Sequence, residues 1–248
     1  DAAQAMGLDP VRVRRVDVGA EGGPEAAARS ARYAAFDAAV TDTGASAVIL
    51  GHTLDDQAET VLLGLARGAG ASSLQGMAPA SGQYLRPLLA VPRSVTHAAC
   101  VAEGLTPWTD PHNSDLSFSR VRVRQAVLPV LERELGPGIA EALARTAEQL
   151  REDAEAFDAM IDEFIEEICE PAEAGIAVSV AALAANPAAL RNRIIRLVAS
   201  SEFGVSLSRA HTVAIAALVT DWHGQGPVDV PGIVVRRESG LIVFSARG

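Results

Sequence analysis

The stretch Ala47-Val48-Ile49-Leu50-Gly51-His52-Thr53-Leu54-Asp55-Asp56-Gln57-Ala58-Glu59-Thr60 sets a short apolar run directly against an acid-rich helix start. Residues 47–50 are too few for a helix and suit a strand buried on both faces. A helix opens near Leu54 and runs to Arg67, where Gly68 and Gly70 stop it. Upstream, Glu25 to Thr43 reads as a helix, preceded by an alternating strand over Val11–Val18 and a glycine-rich loop from Gly19 to Pro24. Downstream, Tyr84 to Gly104 reads as a further αβ stretch and another helix begins near Ser119. Alternating strands and helices with short connections predict a parallel sheet covered by helices, with ligands beyond the carboxyl ends of the strands, where His52 and Asp55 fall.

The first domain is expected to span residues 1–135. Residues 136–170 read as a helical connector, amphipathic from Gly138 to Cys169 with a solvated acidic face and broken at Glu170–Gly175. Residues 171–248 read as a small α+β domain. It has helices around Arg191–Ser200 and Ser208–Trp222 and a hairpin pairing Gly232–Arg237 with Leu241–Phe244.

Composition narrows the chemistry. The formal charge of −10 disfavours broad, sequence-blind binding to duplex nucleic acid. All 21 basic residues are arginines, so no lysine nucleophile or Schiff base is available. Cys100 and Cys169 match no metal or redox spacing and are expected to be reduced and structural. No apolar run is long enough to span a bilayer and no basic leader opens the chain, so a soluble, cytoplasmic protein is expected. The chain starts at Asp1 inside a helix-like stretch, and its N-terminus is expected to be incomplete.

In a helix, His52 and Asp56, Asp55 and Glu59, and Asp56 and Glu59 share faces, so one turn presents several acids beside an imidazole. Such a cluster could hold Mg²⁺ between protein and phosphates, with Asp56 the candidate ligand. A capping box with Thr53 at the N-cap and Asp56 at N3 explains those two residues equally well, but not His52, Asp55 and Glu59.

Gly51 to Thr60, followed by Leu65-Ala66-Arg67-Gly68 and Gly70, resembles the second signature of the tRNA(Ile)-lysidine synthases, which belong to the PP-loop ATP pyrophosphatases. Three further stretches are similar to the family's: Gly23 to Tyr33 with Arg29 and Arg32, Arg86-Pro87-Leu88-Leu89, and Asp110-Pro111-His112-Asn113-Ser114-Asp115 with Arg120, Arg122, Arg124 and Leu128-Pro129. The resemblance is strong from Gly22 to Arg151 and weaker over the last seventy or so residues. It implies an α/β, PP-loop (adenine nucleotide hydrolase-like) domain before the connector and C-terminal domain. The superfamily's first signature, a Ser-Gly-Gly-x-Asp-Ser loop, does not occur, and the chain alone is expected to be inactive without it.

By resemblance the activity is ATP-dependent ligation of free L-lysine to the wobble cytidine of a CAU-anticodon tRNA(Ile). The expected cofactors are ATP and Mg²⁺, and a homodimer is admitted. His52, Asp55, Asp56, Glu59, Arg29 and Arg124 become the catalytic candidates: Asp56 or Asp55 as base or metal partner, His52 and Glu59 to orient the nucleotide or amine, and the arginines to face cytidine or phosphate. Gly51, His52 and Asp56 are the nucleotide-binding candidates, and Arg86, Arg120, Arg122, Arg124, Arg191 and Arg193 the tRNA-binding ones. Arg196, Arg209, Arg236 and Arg237 extend that set, and Trp108 and Phe118 could stack on a flipped base. For Arg120, Arg122 and Arg124, ion pairing with Glu132 and Glu134 is the alternative. A thiolating PP-loop enzyme, or a fragment that binds tRNA without catalysis, are the competing functions.

Overall fold

The computed structural model describes residues 2–20, 22–68, 70–108, 110–172 and 175–247. Glu21 of the expected glycine-rich loop, Thr109 of the Trp108 loop, and Glu173 and Ala174 of the expected break lie outside the described residues. The chain divides into two compact units, residues 1–150 and 151–248.

The first unit opens with one helical turn, α1 (Ala2–Ala5), and then α2 (Pro24–Thr43). Proline in its first turn and Gly44 in the left-handed conformation (φ 68°) mark the ends of α2. Strand β1 (Val48–Ile49) leads into α3 (Leu54–Arg67), closed by left-handed Gly68, and into the short α4 (Ala71–Leu74). Next come β2 (Ala80–Ser81), β3 (Tyr84–Leu85) and α5 (Arg93–Ala102). A 3-10 turn at Pro111–Ser114 precedes α6 (Ser119–Arg122), a π-helical turn at Val123–Val127 and α7 (Leu128–Leu135).

The sheet of this unit has the order β1-β3-β2, with β1 and β3 parallel and β2 antiparallel to β3. Parallel pairing therefore holds at the strand that feeds α3, and the antiparallel addition makes the sheet mixed. The alternating segment Val11–Val18 is not a strand, which corrects the sequence expectation: Val13 is 95% exposed and no described strand pairs with it. Alternation alone does not hold a strand whose backbone groups find no ladder partner.

Helix α8 (Ile139–Asp162) carries the division between the units, at Leu150/Arg151. The second unit continues with α9 (Ile165–Ile168), β4 (Cys169–Ala172), β5 (Gly175–Ser179), α10 (Val180–Ala185), α11 (Ala188–Phe203) and α12 (Arg209–Thr220), then β6 (Val228–Val230), β7 (Ile233–Glu238) and β8 (Leu241–Ala246). Its sheet is antiparallel throughout in the order β4-β5-β8-β7-β6, and one core joins Phe244, Ile242, Ile233 and Val235 to Leu183, Ile194, Ile195, Ile215 and Leu218. Where a break was expected at 170–175, β4 and β5 pair as a hairpin. Gly175 is required there, because a Cβ would stand 2.0 Å from the Phe244 carbonyl oxygen.

Candidate active site

The parallel ladder continues past β1, with Leu50 N–H donating to the Leu85 carbonyl at 2.8 Å, so Gly51 and His52 emerge at the carboxyl end of the strand. Thr53 then turns extended (φ −107°) and α3 begins. Asp56 Oδ2 accepts from the Thr53 backbone N–H and from its hydroxyl, both at 2.9 Å. This is the capping box, and Asp56 does more than cap: its other oxygen, Oδ1, accepts from Arg93 Nη2 at 3.0 Å and lies 3.5 Å from Arg124 Nη2. Burial favours the protonated acid, but the Thr53 bonds and the charges of Arg93 and Arg124 together outweigh it and hold the Asp56 carboxyl below the ordinary carboxylate range.

Glu59, one helical turn on, has no exposed surface. A carboxylate so buried survives only if its charge is met on every side. Arg124 clamps it with two parallel bonds, Nε to Oε1 at 2.7 Å and Nη2 to Oε2 at 3.1 Å. Arg93 Nη2 reaches Oε1 at 3.3 Å and Arg120 Nε approaches Oε2 at 3.4 Å. The three arginine side chains remain 35%, 33% and 25% exposed for Arg93, Arg120 and Arg124, so each is anchored on Glu59 and still faces solvent. The bond to Glu59 leads the effects that push the Arg124 pKa further up. Arg120 also donates to Thr60 Oγ1 at 2.8 Å.

The helical alternative for the Arg120–Arg124 stretch is the one adopted. Val121 and Val123 turn inward, while Arg120 and Arg124 share the face toward α3. Arg122 departs from that face and donates to the Leu116 and Ser117 carbonyls, both at 2.7 Å, bracing the loop before α6. In the π turn Leu128 N–H bonds to the Val123 carbonyl, five residues back, directly before Pro129, which has no N–H to return to residue 125. Neither Glu132 nor Glu134 pairs with these arginines. Glu132 accepts from the backbone N–H groups of Gly138 and Ile139, at 2.8 and 2.9 Å, at the start of α8, and Glu134 pairs with Arg133.

Asp55 serves a different helix. Its Oδ2 accepts the Arg93 backbone N–H at 2.7 Å, capping α5 from α3. His52 is half-buried, and its Nδ1 is shielded from solvent with no hydrogen-bond partner. Burial, reinforced by Arg86, Arg120 and Arg29 and opposed by Asp56, lowers the imidazole pKa, so the ring is neutral at pH 7.

Arg29 is exposed and stacks over the Tyr33 ring at 4.7 Å, donating to its hydroxyl at 3.3 Å. From the other side Arg86 donates to the same hydroxyl at 3.3 Å and to the Ala78 carbonyl at 2.9 Å. Arg86 is buried and so is not placed to meet tRNA. In the second unit Arg191 is committed to the Leu183 and Asn186 carbonyls, and Arg193 to Asp158 and the Phe157 ring. Arg236 pairs with Glu238, and Arg237 covers Trp222 and bonds the Leu218 carbonyl. Burial and the neighbouring charges of Arg193 and Arg209 lower the pKa of Arg196. Asp110 caps the 3-10 turn through the His112 N–H at 2.9 Å, and Trp108 stands 80% exposed beside it.

Arg93 is a site residue that the sequence does not announce. Its signal is slight: an arginine directly after Pro92, at the kind of boundary where proline opens a helix. Asp56 fits a metal poorly, since both its oxygens are already engaged, and among the described residues no group of three His, Cys, Asp or Glu converges as a ligand set. Cys100 and Cys169 are both free thiols, and burial together with Glu202 pushes the Cys169 thiol pKa up. Among the described residues no helix is long and apolar enough to cross a membrane.

Comparison with known proteins gives this geometry its family. A family model described as a PP-loop domain matches residues 2–131, and one described as the TilS substrate binding domain matches residues 179–242. The chain is 62% identical to the tRNA(Ile)-lysidine synthase of Leifsonia xyli subsp. xyli, over 98% of this chain and 73% of that protein. It is 51% identical to the enzyme of that name from Thermobifida fusca, over 97% and 74%, and 48% identical to the one from Mycobacterium tuberculosis H37Rv, over 98% and 76%. With an α/β PP-loop unit followed by a substrate-binding unit, and identity of this order along nearly all its length, the chain belongs to the tRNA(Ile)-lysidine synthase family.

Proposed function

We propose that this protein ligates L-lysine to C2 of the wobble cytidine of CAU-anticodon tRNA(Ile), using ATP, and so changes the codon read from AUG to AUA. In the first step the cytidine O2 attacks the α-phosphorus of ATP and pyrophosphate leaves. In the second a lysine amine attacks C2, loses its proton, and AMP leaves with the oxygen. The observation that carries the assignment of the site is the buried Glu59 carboxylate holding Arg93, Arg120 and Arg124 beside His52.

Each residue then has a part that its bonding supports. Arg93 and Arg124, fixed from behind by Glu59 and Asp56, stabilise the charge that grows on the phosphoryl group without having to reorganise. Arg29, exposed and braced by Tyr33, approaches from α2. His52 is the base that takes the amine proton, because its ring is held toward the neutral form at the carboxyl end of β1. Asp56, held ionised and fully bonded, is a positioning group rather than the base. A cavity of about 210 Å³ between Arg93, Arg124, Pro129 and Glu132 offers both signs of charge, as an amino-acid substrate requires. Mg²⁺ is expected on the phosphates of ATP and not on Asp56.

The test is ATP-dependent incorporation of labelled L-lysine into tRNA(Ile) bearing CAU, using the full-length gene product. One AMP and one pyrophosphate per lysine incorporated is the expected result. No incorporation into a verified tRNA would end the lysidine reading.

A further inference from the structure

A second groove, of about 240 Å³, is lined by Thr60, Arg67, Ser72, Ser73, Gly76 and Arg120 among others. Thr60, Gly64 and Arg67 fall on one stripe of α3, and the segment carrying α4 forms the opposite wall. That wall is fixed. Gln57 bonds both backbone groups of Met77, at 2.7 and 2.9 Å. At Gly64 the helix comes so close that a Cβ would stand 2.3 Å from the Ser73 carbonyl oxygen. At Gly76 (φ 60°) a Cβ would stand 2.6 Å from Gln57. The serines are thus held in place before any ligand arrives.

The lining has one sign of charge. Two guanidinium groups and three hydroxyls face the groove, and no acidic side chain lines it among the described residues. Arg120 is tied to Thr60 at one end, while Arg67 at the other end is exposed and has no described side-chain partner. Thr60 and Arg67 are seven residues apart, about 10 Å along a helix axis. In a chain of net charge −10, a groove whose charged lining is cationic marks a place where an anion is wanted.

We infer that this groove binds backbone phosphate of the tRNA, outside the reacting nucleotide. The inference rests on the proposed function for its substrate. Distance separates it from the phosphates of ATP. The groove adjoins the Glu59 cluster at its Thr60 and Arg120 end, but Arg67 lies 13 residues beyond Leu54, about 20 Å along the axis. A polyanion whose target base sits at His52 can span that length.

The test compares wild type, Arg67→Ala, Arg67→Lys and Ser72→Asp in the full-length gene product. Filter binding to tRNA(Ile) between about 50 and 200 mM salt is measured alongside the steady-state constants for tRNA and ATP. The expected result for Arg67→Ala is a roughly 5–10-fold weaker tRNA Kd, with a salt slope shallower by about 0.7–0.9 for each phosphate no longer neutralised. Arg67→Lys should recover most of the affinity, and Ser72→Asp should weaken tRNA binding without altering the KM for ATP. Unchanged tRNA affinity in Arg67→Ala and Ser72→Asp, with both folded, would overturn the inference and leave Arg67 as a helix-end charge. A rise in KM for ATP in place of tRNA Kd would also overturn it and give the groove to nucleotide phosphate. Lysine incorporation by wild type is scored separately, so failure of the lysidine reading shows in wild type and failure of the groove only in the variants.

Discussion

His52 precedes the N-cap of α3 and Asp56 is its third residue, not one turn of a shared helix as the spacing suggested, and the structure gives them opposite electrostatic tasks. Asp56 is over-supplied with donors and stays ionised; His52 is under-supplied and stays neutral. The consequence for His52 is a pH dependence with a definite sign. Its folded pKa lies below the unfolded value of about 6.5, because burial disfavours the imidazolium. The unfolded state therefore binds more protons in the window between the two values. The contribution to stability is fully present above about pH 6.5 and is lost as pH falls through the folded pKa. Comparing urea midpoints of wild type and His52→Asn at pH 8 and pH 5 should show any wild-type advantage shrinking at pH 5. In parallel, the acid limb of lysine incorporation should lie below pH 6.5. A gap between the two proteins that is constant with pH would mean that the ring is not held neutral.

At the level of elements, the site is built by α3 reaching to partners far away in sequence. Asp55 caps a helix that begins 38 residues later, and Arg124 returns to Glu59 across 65 residues. This is why the bounds of α3, Leu54 to Arg67, could be read from local signals while the roles of its acids could not. Thr53, the capping oxygen of Asp56 and Gly68 act within their own helix and so announce themselves, whereas the Asp56 bond to Arg93 does not. Asp55 looks like a site acid until the N-terminus of α5 is placed against it. Arg93 escapes notice for the same reason. The close approach of α3 to α4 gives the element-scale prediction. Replacing a helical glycine with alanine ordinarily gains about 1 kcal/mol. At Gly64 the new methyl meets backbone atoms of Ser73, which cannot rotate away, and overpacking of this kind costs about 1–3 kcal/mol. Gly64→Ala should therefore be net destabilising by up to about 2 kcal/mol in denaturant titration. A stabilised variant would show that the two segments are not held together in solution.

For the whole molecule, two units read from different kinds of pattern. The hairpin of β7 and β8 and the helices α11 and α12 follow local periodicity, and the sequence places them within a few residues of where they form. The hairpin of β4 and β5 does not stand out, because Cys169-Glu170-Pro171-Ala172 has no alternation and is recruited as an edge strand by β5. Charge is the property that belongs to the molecule as a whole. Of the arginines singled out for tRNA, Arg86, Arg191 and Arg193 are bonded within their own units, and Arg122 braces a loop. Committing these four lowers the number of phosphates that this acidic protein can neutralise. With about four phosphates met and a slope of about −0.7 for each on single-stranded segments, log K should fall with log salt at about −2.8. Raising salt from about 50 to 200 mM then weakens tRNA binding about 50-fold, well short of the roughly 10³–10⁵ expected when six to ten phosphates are neutralised. Equilibrium binding of the full-length gene product to tRNA(Ile) across that range measures the slope directly. A much steeper slope would mean that arginines outside this bonded set, such as Arg12, Arg15, Arg145 and Arg209, also meet phosphate.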